Sequence, residues 1–543
     1  MVASGTLYSI MTRHSVDVET SSVVPQINDV VVVEGGRSMQ PQGTAPYCIL
    51  PEHEKICLML LCSFAAIISP ISASIYFPAL NSLASELHVS VSRINLTVTT
   101  YMIFQGLAPS VVASVSDVYG RRPAYLACFI IYLGANIGLA LQDSYAALMV
   151  LRCLQSSGSS GTIALGSATV ADLSTRAERG KYIGYATMGV TLGPALGPVI
   201  GGLLDHFLGW RAIFWFLAIF SGVFGFIIFL ILPETCRAVV GNGSVPASKW
   251  NWSVWQLVAS KTRNRQKPQV EPAYETILKG SRRANPIASV MIAMEKEGAL
   301  ILIYGSLLYC GFMSILSTLT SQLQERFGFN SIQVGLCYLP LGVGSLTSRW
   351  TVGRLLDVNF RREANRQGLR IESNKQQDIE KFNIEVARLA VTIPIVYMAC
   401  LFIIGYGWVM EEKTSLAACM VLLFFTGHLT TGSFSALNTL VVDINRASPA
   451  TAVAANNLFR CLLGAGAVAI ANPLIDRIGI GWSATVVAAL WLIFSPCLLA
   501  VYFWGHSWRE EKRVRLMNKK EQKEARRQES ATRNFEASPA PEK

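Results

Sequence analysis

The chain has 543 residues, of which 51% are hydrophobic and 15% charged, with a net charge of +11. Ordinary soluble domains carry about 25% charged residues, so this composition excludes a soluble enzyme and suits a protein whose main solvent is lipid. The basic residues crowd into short loops and the C-terminal tail between long apolar runs. That alternation fits loops facing anionic lipid and argues against a nucleic-acid partner.

In chain order, residues 1–55 are polar, with scattered Ser, Pro and Gly, and read as a disordered cytoplasmic tail without a cleavable signal peptide. A membrane span needs about 20 mostly apolar residues. Six such runs follow, near 56–78, 94–116, 123–142, 146–170, 182–204 and 212–233, forming an N-terminal half over 56–235. A polar loop covers 236–297. Six more runs lie near 298–321, 332–356, 387–408, 415–440, 450–474 and 482–504, within a second half over 298–505, and a basic cytoplasmic tail covers 506–543. The expected fold is therefore an all-α polytopic membrane protein with twelve transmembrane helices in two six-helix halves.

The charge of the loops sets the orientation. With the N-terminus in the cytoplasm, the inner loops hold Arg121 and Arg122, then Arg176, Arg179 and Lys181, the basic central loop, and Arg361, Arg362, Arg366 and Arg370. The outer loops hold about one basic residue each, such as Arg93, Arg211, Arg326 and Lys413. Both termini are expected on the cytoplasmic side, and the Asn-x-Ser triplets at Asn242 and Asn251 fall in an inner loop, unglycosylated. Most of the 12 cysteines, among them Cys62, Cys128, Cys400 and Cys419, lie inside apolar runs without metal-ligand spacing. They read as small hydrophobes, and neither a metal nor a cofactor is expected.

Three clusters carry more specific information. The loop after the second run reads Asp117-Val118-Tyr119-Gly120-Arg121-Arg122-Pro123. The fourth run carries Arg152-Cys153-Leu154-Gln155. The fifth carries Gly189, Gly193, Pro194, Gly197 and Pro198, small residues that let helices approach closely in lipid. In that order and spacing they resemble the three signature motifs of the major facilitator superfamily, the third matching its antiporter pattern from Gly180 to Gly197. Ala113 stands where the first motif usually begins with Gly. A degenerate second copy, Gly353-Arg354-Leu355-Leu356-Asp357, ends the eighth run, as two related halves would have it. Gly209-Trp210-Arg211 and Leu232-Pro233-Glu234-Thr235 resemble the fungal twelve-span drug:proton antiporters. The segment from Ala454 to Gly466 resembles their branch of quinidine-resistance, dityrosine and citrate exporters.

The resemblance implies a secondary transporter working by alternating access. Asp117 either gates the inner face, meeting a helix N-terminus and Arg121, or forms a loop salt bridge. Arg152, with Gln155 one turn away, serves proton coupling or substrate contact, or else is a structural hydrogen-bond hub. Arg460 sits about ten residues into the eleventh run, with Asn456 four residues earlier on its face and Asn457 three earlier, and reads as a substrate contact or an arginine bonded to backbone. His428 in the tenth run is either a proton carrier or an ordinary buried histidine. Tyr101, Gln105 and Tyr304 are cavity candidates or interface packing. The Gly/Pro run sets packing alone or limits proton leak.

Acidic residues are missing from the middle of every proposed run, while Arg152 and Arg460 are both cationic. In a low-dielectric cavity an anion balances them. The favoured reading is a proton-coupled exporter of an organic anion, such as a citrate-like carboxylate, or of a secondary metabolite. The alternatives are a polyspecific multidrug:proton antiporter and, from another class, a transport-inactive sensor or scaffold. No catalytic constellation is present. The expected partners are a small-molecule substrate, the bilayer and a proton gradient, with a monomer in the plasma membrane or an internal membrane such as the vacuole.

Overall fold

A computed structural model describes residues 48–174, 179–243, 291–368, 382–445 and 449–536, with a few further positions between 245 and 256. Among them every element is helical: α1 (Glu52–Ser74), α2 (Leu80–Glu86), α3 (Val91–Tyr119), α4 (Arg121–Leu141), α5 (Tyr145–Leu173), α6 (Arg179–Leu208), α7 (Arg211–Ile231), α8 (Arg237–Val240, a single turn), α9 (Lys296–Phe327), α10 (Ser331–Cys337), α11 (Leu339–Arg366), α12 (Ile384–Glu411), α13 (Leu416–Ile444), α14 (Pro449–Ile493) and α15 (Ser495–Glu536). The expected tail over 1–47 and most of the central loop lie outside the described residues.

Helix boundaries follow local chemistry. Ser90, Asn383 and Ser415 cap α3, α12 and α13 by accepting from the backbone N–H three residues on, and Asn330 with Gln333 forms a reciprocal capping box on α10. Gly328 ends α9 in the left-handed region at φ 68°. Gly120 separates α3 from α4 at φ 109°.

Among the described residues, 8 helices are long and apolar enough to cross a membrane. This is fewer than the twelve runs read from the sequence, because two helices are more polar, α6 is described only in part, and two runs are continuous across a kink. α5 is diluted by serine, threonine and glycine. α11 carries Arg349, Arg354 and Asp357 within its length. α6 qualifies only as a shorter apolar stretch, Leu192–Leu208. The last two runs merge into one long helical segment, broken within α14 at Gly479 (φ 80°).

The Gly/Pro run lies on α6 and packs two ways. On one face it meets α1: a methyl on Gly193 would fall 2.7 Å from the Pro70 ring, and the Ser74 hydroxyl donates to the Gly193 carbonyl at 3.1 Å. On the other it meets α10 and α11: a methyl on Gly335 would fall 2.7 Å from the Pro198 carbonyl, and one on Gly342 would fall 2.7 Å from the Ala195 Cα. Gly193→Ala is expected to destabilise the chain by about 1–3 kcal/mol through overpacking. Gly134→Ala on α4, where nothing lies within 4 Å of the added methyl, should be neutral. Comparing their melting temperatures with that of the parent chain checks this.

Candidate functional site

Arg152 on α5 is fully buried, at 0% exposure. Its guanidinium lies between two aromatic faces, 4.1 Å from the Tyr76 ring centroid and 4.2 Å from that of Tyr101. Nη1 donates to Gln155 Oε1 at 2.6 Å, Gln155 Nε2 donates to Asn136 Oδ1 at 2.7 Å, and Asn136 Nδ2 donates to the Tyr132 carbonyl. Nε and Nη2 have no hydrogen-bond partner among the described residues. A buried cation normally has a carboxylate partner. Here two π-faces and an amide relay stand in its place, and two donors are left open to an incoming acceptor.

Arg460 on α14 is half-buried. It lies 5.1 Å from the Tyr309 ring centroid and 5.5 Å from that of Phe434. Its Nε and Nη2 both donate to Asn457 Oδ1, and Asn457 Nδ2 donates to the Gln105 carbonyl on α3 at 3.1 Å. The partner of Arg460 is therefore Asn457. Asn456 turns instead to Asn438 on α13, donating at 2.7 Å. Both arginines thus attach to α3, Arg152 through the Tyr101 ring and Arg460 through the backbone of Gln105, one turn apart.

The other candidates disperse. Tyr304 is fully buried and donates to the Trp491 carbonyl at 2.9 Å, an interhelix contact. His428 is held between Thr347 and Thr351 of α11, 3.0 Å from each hydroxyl, and stacks on Phe424. Gln105 is nearly buried between α3 and α14.

Asp117, Gly120, Arg121 and Arg122 fold into a compact cluster at the basic end of the bundle. Arg121 pairs with Asp117 at 2.6 Å and with Asp172 at the end of α5 at 2.8 Å. Burial raises the Asp172 carboxyl pKa despite Arg121, which acts to lower it. The residue that occupies a helix N-terminus here is Glu234. Its carboxylate accepts from the N–H groups of Arg121 (2.8 Å), Thr235 (3.0 Å) and Cys236 (2.9 Å). This is the favourable place for an anion at the start of α4, and a side chain at Gly120 would collide with Glu234. An arrangement like Arg121–Asp172 recurs at the start of α12 and the end of α13, where Arg388 pairs with Asp443 at 3.1 Å.

Asn242 and Asn251 are both buried, and Asn251 Nδ2 donates to the Tyr119 carbonyl. Neither side chain stands free on the surface.

The end of the bundle opposite the basic cluster is clasped between the α1–α7 and α9–α15 helices. Asp205 Oδ2 accepts from Ser82 at 2.8 Å and from Ser331 at 2.5 Å. Asn81 bonds to both Gln324 and Ser321, and Thr320 donates to the Phe77 carbonyl at 2.9 Å. Eleven residues on from Gly342, nothing among the described residues lies within 4 Å of a methyl on Gly353.

Arg349 lies between, two turns past Gly342 on the same helical face, and it is exposed. The sequence reading passed over Arg349. A cation in the middle of an apolar run was the signal that could have found it.

A helical protein with membrane-length helices and buried cations facing its interior is an integral membrane protein of the kind that moves small molecules across a bilayer. The chain belongs to the Major Facilitator Superfamily, whose family model matches residues 62–469. It is 49% identical over 461 residues to the MFS-type transporter R5 of Phoma sp., covering 85% of this chain and 87% of that protein. It is 35% identical to citrate exporter 1 of Aspergillus niger, covering 87% and 90%. Among solved structures it shares its fold with the human organic anion transporter MFSD10, at a TM-score of 0.51 and 18% identity, over 83% of this chain and 100% of that one.

Proposed function

We propose that the chain is a twelve-span secondary transporter with both termini in the cytoplasm, exporting an organic anion, a citrate-like carboxylate or secondary metabolite, by proton-coupled alternating access. The reading includes a monomer in the plasma membrane. The observation that carries the anion is Arg152, fully buried between two rings with two guanidinium donors unpartnered. A carboxylate entering that site gains charge-assisted hydrogen bonds where water is excluded. Arg460 and Arg349 extend the positive potential towards the open cleft, which can draw an anion inwards. The printed name of the Aspergillus relative supports the carboxylate. The clasp supports a state closed at the end opposite the basic cluster.

One observation favours a second reading, a multidrug antiporter. Tyr76, Tyr101, Tyr309 and Phe434 surround the arginines with ring faces, and such faces also bind lipophilic cations. Inside-out vesicles with an acidified lumen, offered labelled citrate and a lipophilic cation side by side, separate the two. Citrate uptake that collapses with the gradient is expected, reduced about tenfold by Arg349→Ala or Arg460→Ala, the weight of one charged contact. Uptake of the cation alone would replace the anion by the drug reading. Citrate uptake that survives loss of the gradient would keep the anion and remove the proton.

A further inference from the structure

At the basic end, α9, α12 and α15 meet around two carboxyl groups. Glu297, in the first turn of α9, is 5% exposed, and Glu385, in the first turn of α12, is 0% exposed. Both converge on Gly505 of α15, where a methyl would fall 2.8 Å from Glu385 Cγ and 3.3 Å from Glu297 Oε1. The absence of a side chain at 505 makes the room both carboxyls occupy. The two carboxyls thus lie side by side against the same glycine, and among the described residues Glu297 Oε1 and Glu385 Oε1 both lack a hydrogen-bond donor.

The charged groups around them come from four helices and one adjoining loop residue. Arg509 Nε lies 3.0 Å from Glu385 Oε1, and its Nη2 donates to the Phe382 carbonyl and to His506 Nδ1. Lys512 pairs with Glu295, just before α9, and donates to Asn445 at 3.3 Å. The adjoining Arg388–Asp443 pair is neutral in itself. Among the described residues, three carboxyl groups, Glu295, Glu297 and Glu385, therefore face two cations, Arg509 and Lys512. Fully ionised, the group is left one negative charge in excess, with two of its carboxylates shut away from water and facing each other. Two acceptors in contact with no donor between them are repulsive, and one proton resolves the conflict.

We propose that Glu297 and Glu385 share one proton, forming a proton-binding site that fastens the C-terminal helix α15 to the first turns of α9 and α12. The remaining negative charge is stabilised by Arg509 and by the positive ends of α9 and α12. Loss of the proton sets two like charges against each other beneath Gly505 and loosens α15. The site does not depend on which substrate is carried, so its test is independent of transport.

The full-length chain in lipid nanodiscs is titrated with alkali while the C=O stretch of protonated carboxyl groups is followed by infrared difference spectroscopy. A band lost on alkalinisation is expected in the parent chain and absent from both E297Q and E385Q. Tryptic cleavage within α15 reports the latch. Cleavage should accelerate severalfold at alkaline pH in the parent chain and stay constant in E297Q, whose amide keeps the hydrogen bond without a titrating proton. A band that persists in both variants, or alkaline cleavage identical in parent and E297Q, overturns the proposal.

Discussion

Arg152→Lys is expected to reduce transport roughly thirtyfold, with the amount of folded chain in the membrane little changed. The estimate comes from about 2 kcal/mol for a desolvated cation–π contact, at 1.4 kcal/mol per tenfold. The planar guanidinium fills the slot between Tyr76 and Tyr101 while donating edge-on to Gln155. A compact ammonium on a flexible stem cannot stack on both rings and hold that amide as well. Tyr101→Leu removes one wall and should give a comparable loss. Tyr76→Phe keeps the ring and gives up only its hydrogen bond to Thr97, 2.9 Å long, a net effect of about 1 kcal/mol. Initial rates in vesicles, normalised to tagged protein, check the series. A fully active lysine variant would remove Arg152 from the transport cycle.

The second large effect is expected at the clasp. Ser321 donates to Asn81 Oδ1 at 3.2 Å, joining the start of α2 to the C-terminal part of α9. With the 12 native cysteines replaced, Asn81→Cys with Ser321→Cys should cross-link under mild oxidation and stop transport. Reductant should restore it. A cycle that opens this end on every turnover cannot proceed while the two sets of helices are tied there. Transport that continues through full cross-linking would show that this end does not open. The single variants, which cannot form the bond, separate a locked state from a damaged one.

How the site was legible is shown by its parts. Arg152 and Gln155 stood out because a cation and an amide one turn apart inside an apolar run are costly unless used. Arg460 stood out for the same reason. Its partner stayed open because Asn456 and Asn457 both fall within reach of a helical turn, and only the packing against α3 and α13 decides which way each points. Tyr76, Tyr309 and Phe434 carried no signal, since aromatics in apolar runs are common and their contacts with the arginines span distant parts of the chain. Glu234 was seen only as a motif residue. Its role at the start of α4 depends on the fold bringing residue 234 back to residue 121.

The sequence by itself determined that this is an all-helical membrane protein, where its apolar runs lie and which family it belongs to. Those properties rest on residue composition, run length and local motifs, which act over one helix or one loop. Only the tertiary structure decided which residues surround each arginine, that Asp205 bridges the clasp, and that Glu297 and Glu385 meet beneath Gly505. These contacts join residues on different helices, far outside the reach of one helical turn or one loop. They depend on how close two helices can approach, and that distance is fixed by the glycines of α6, α10, α11 and α15 against their particular neighbours.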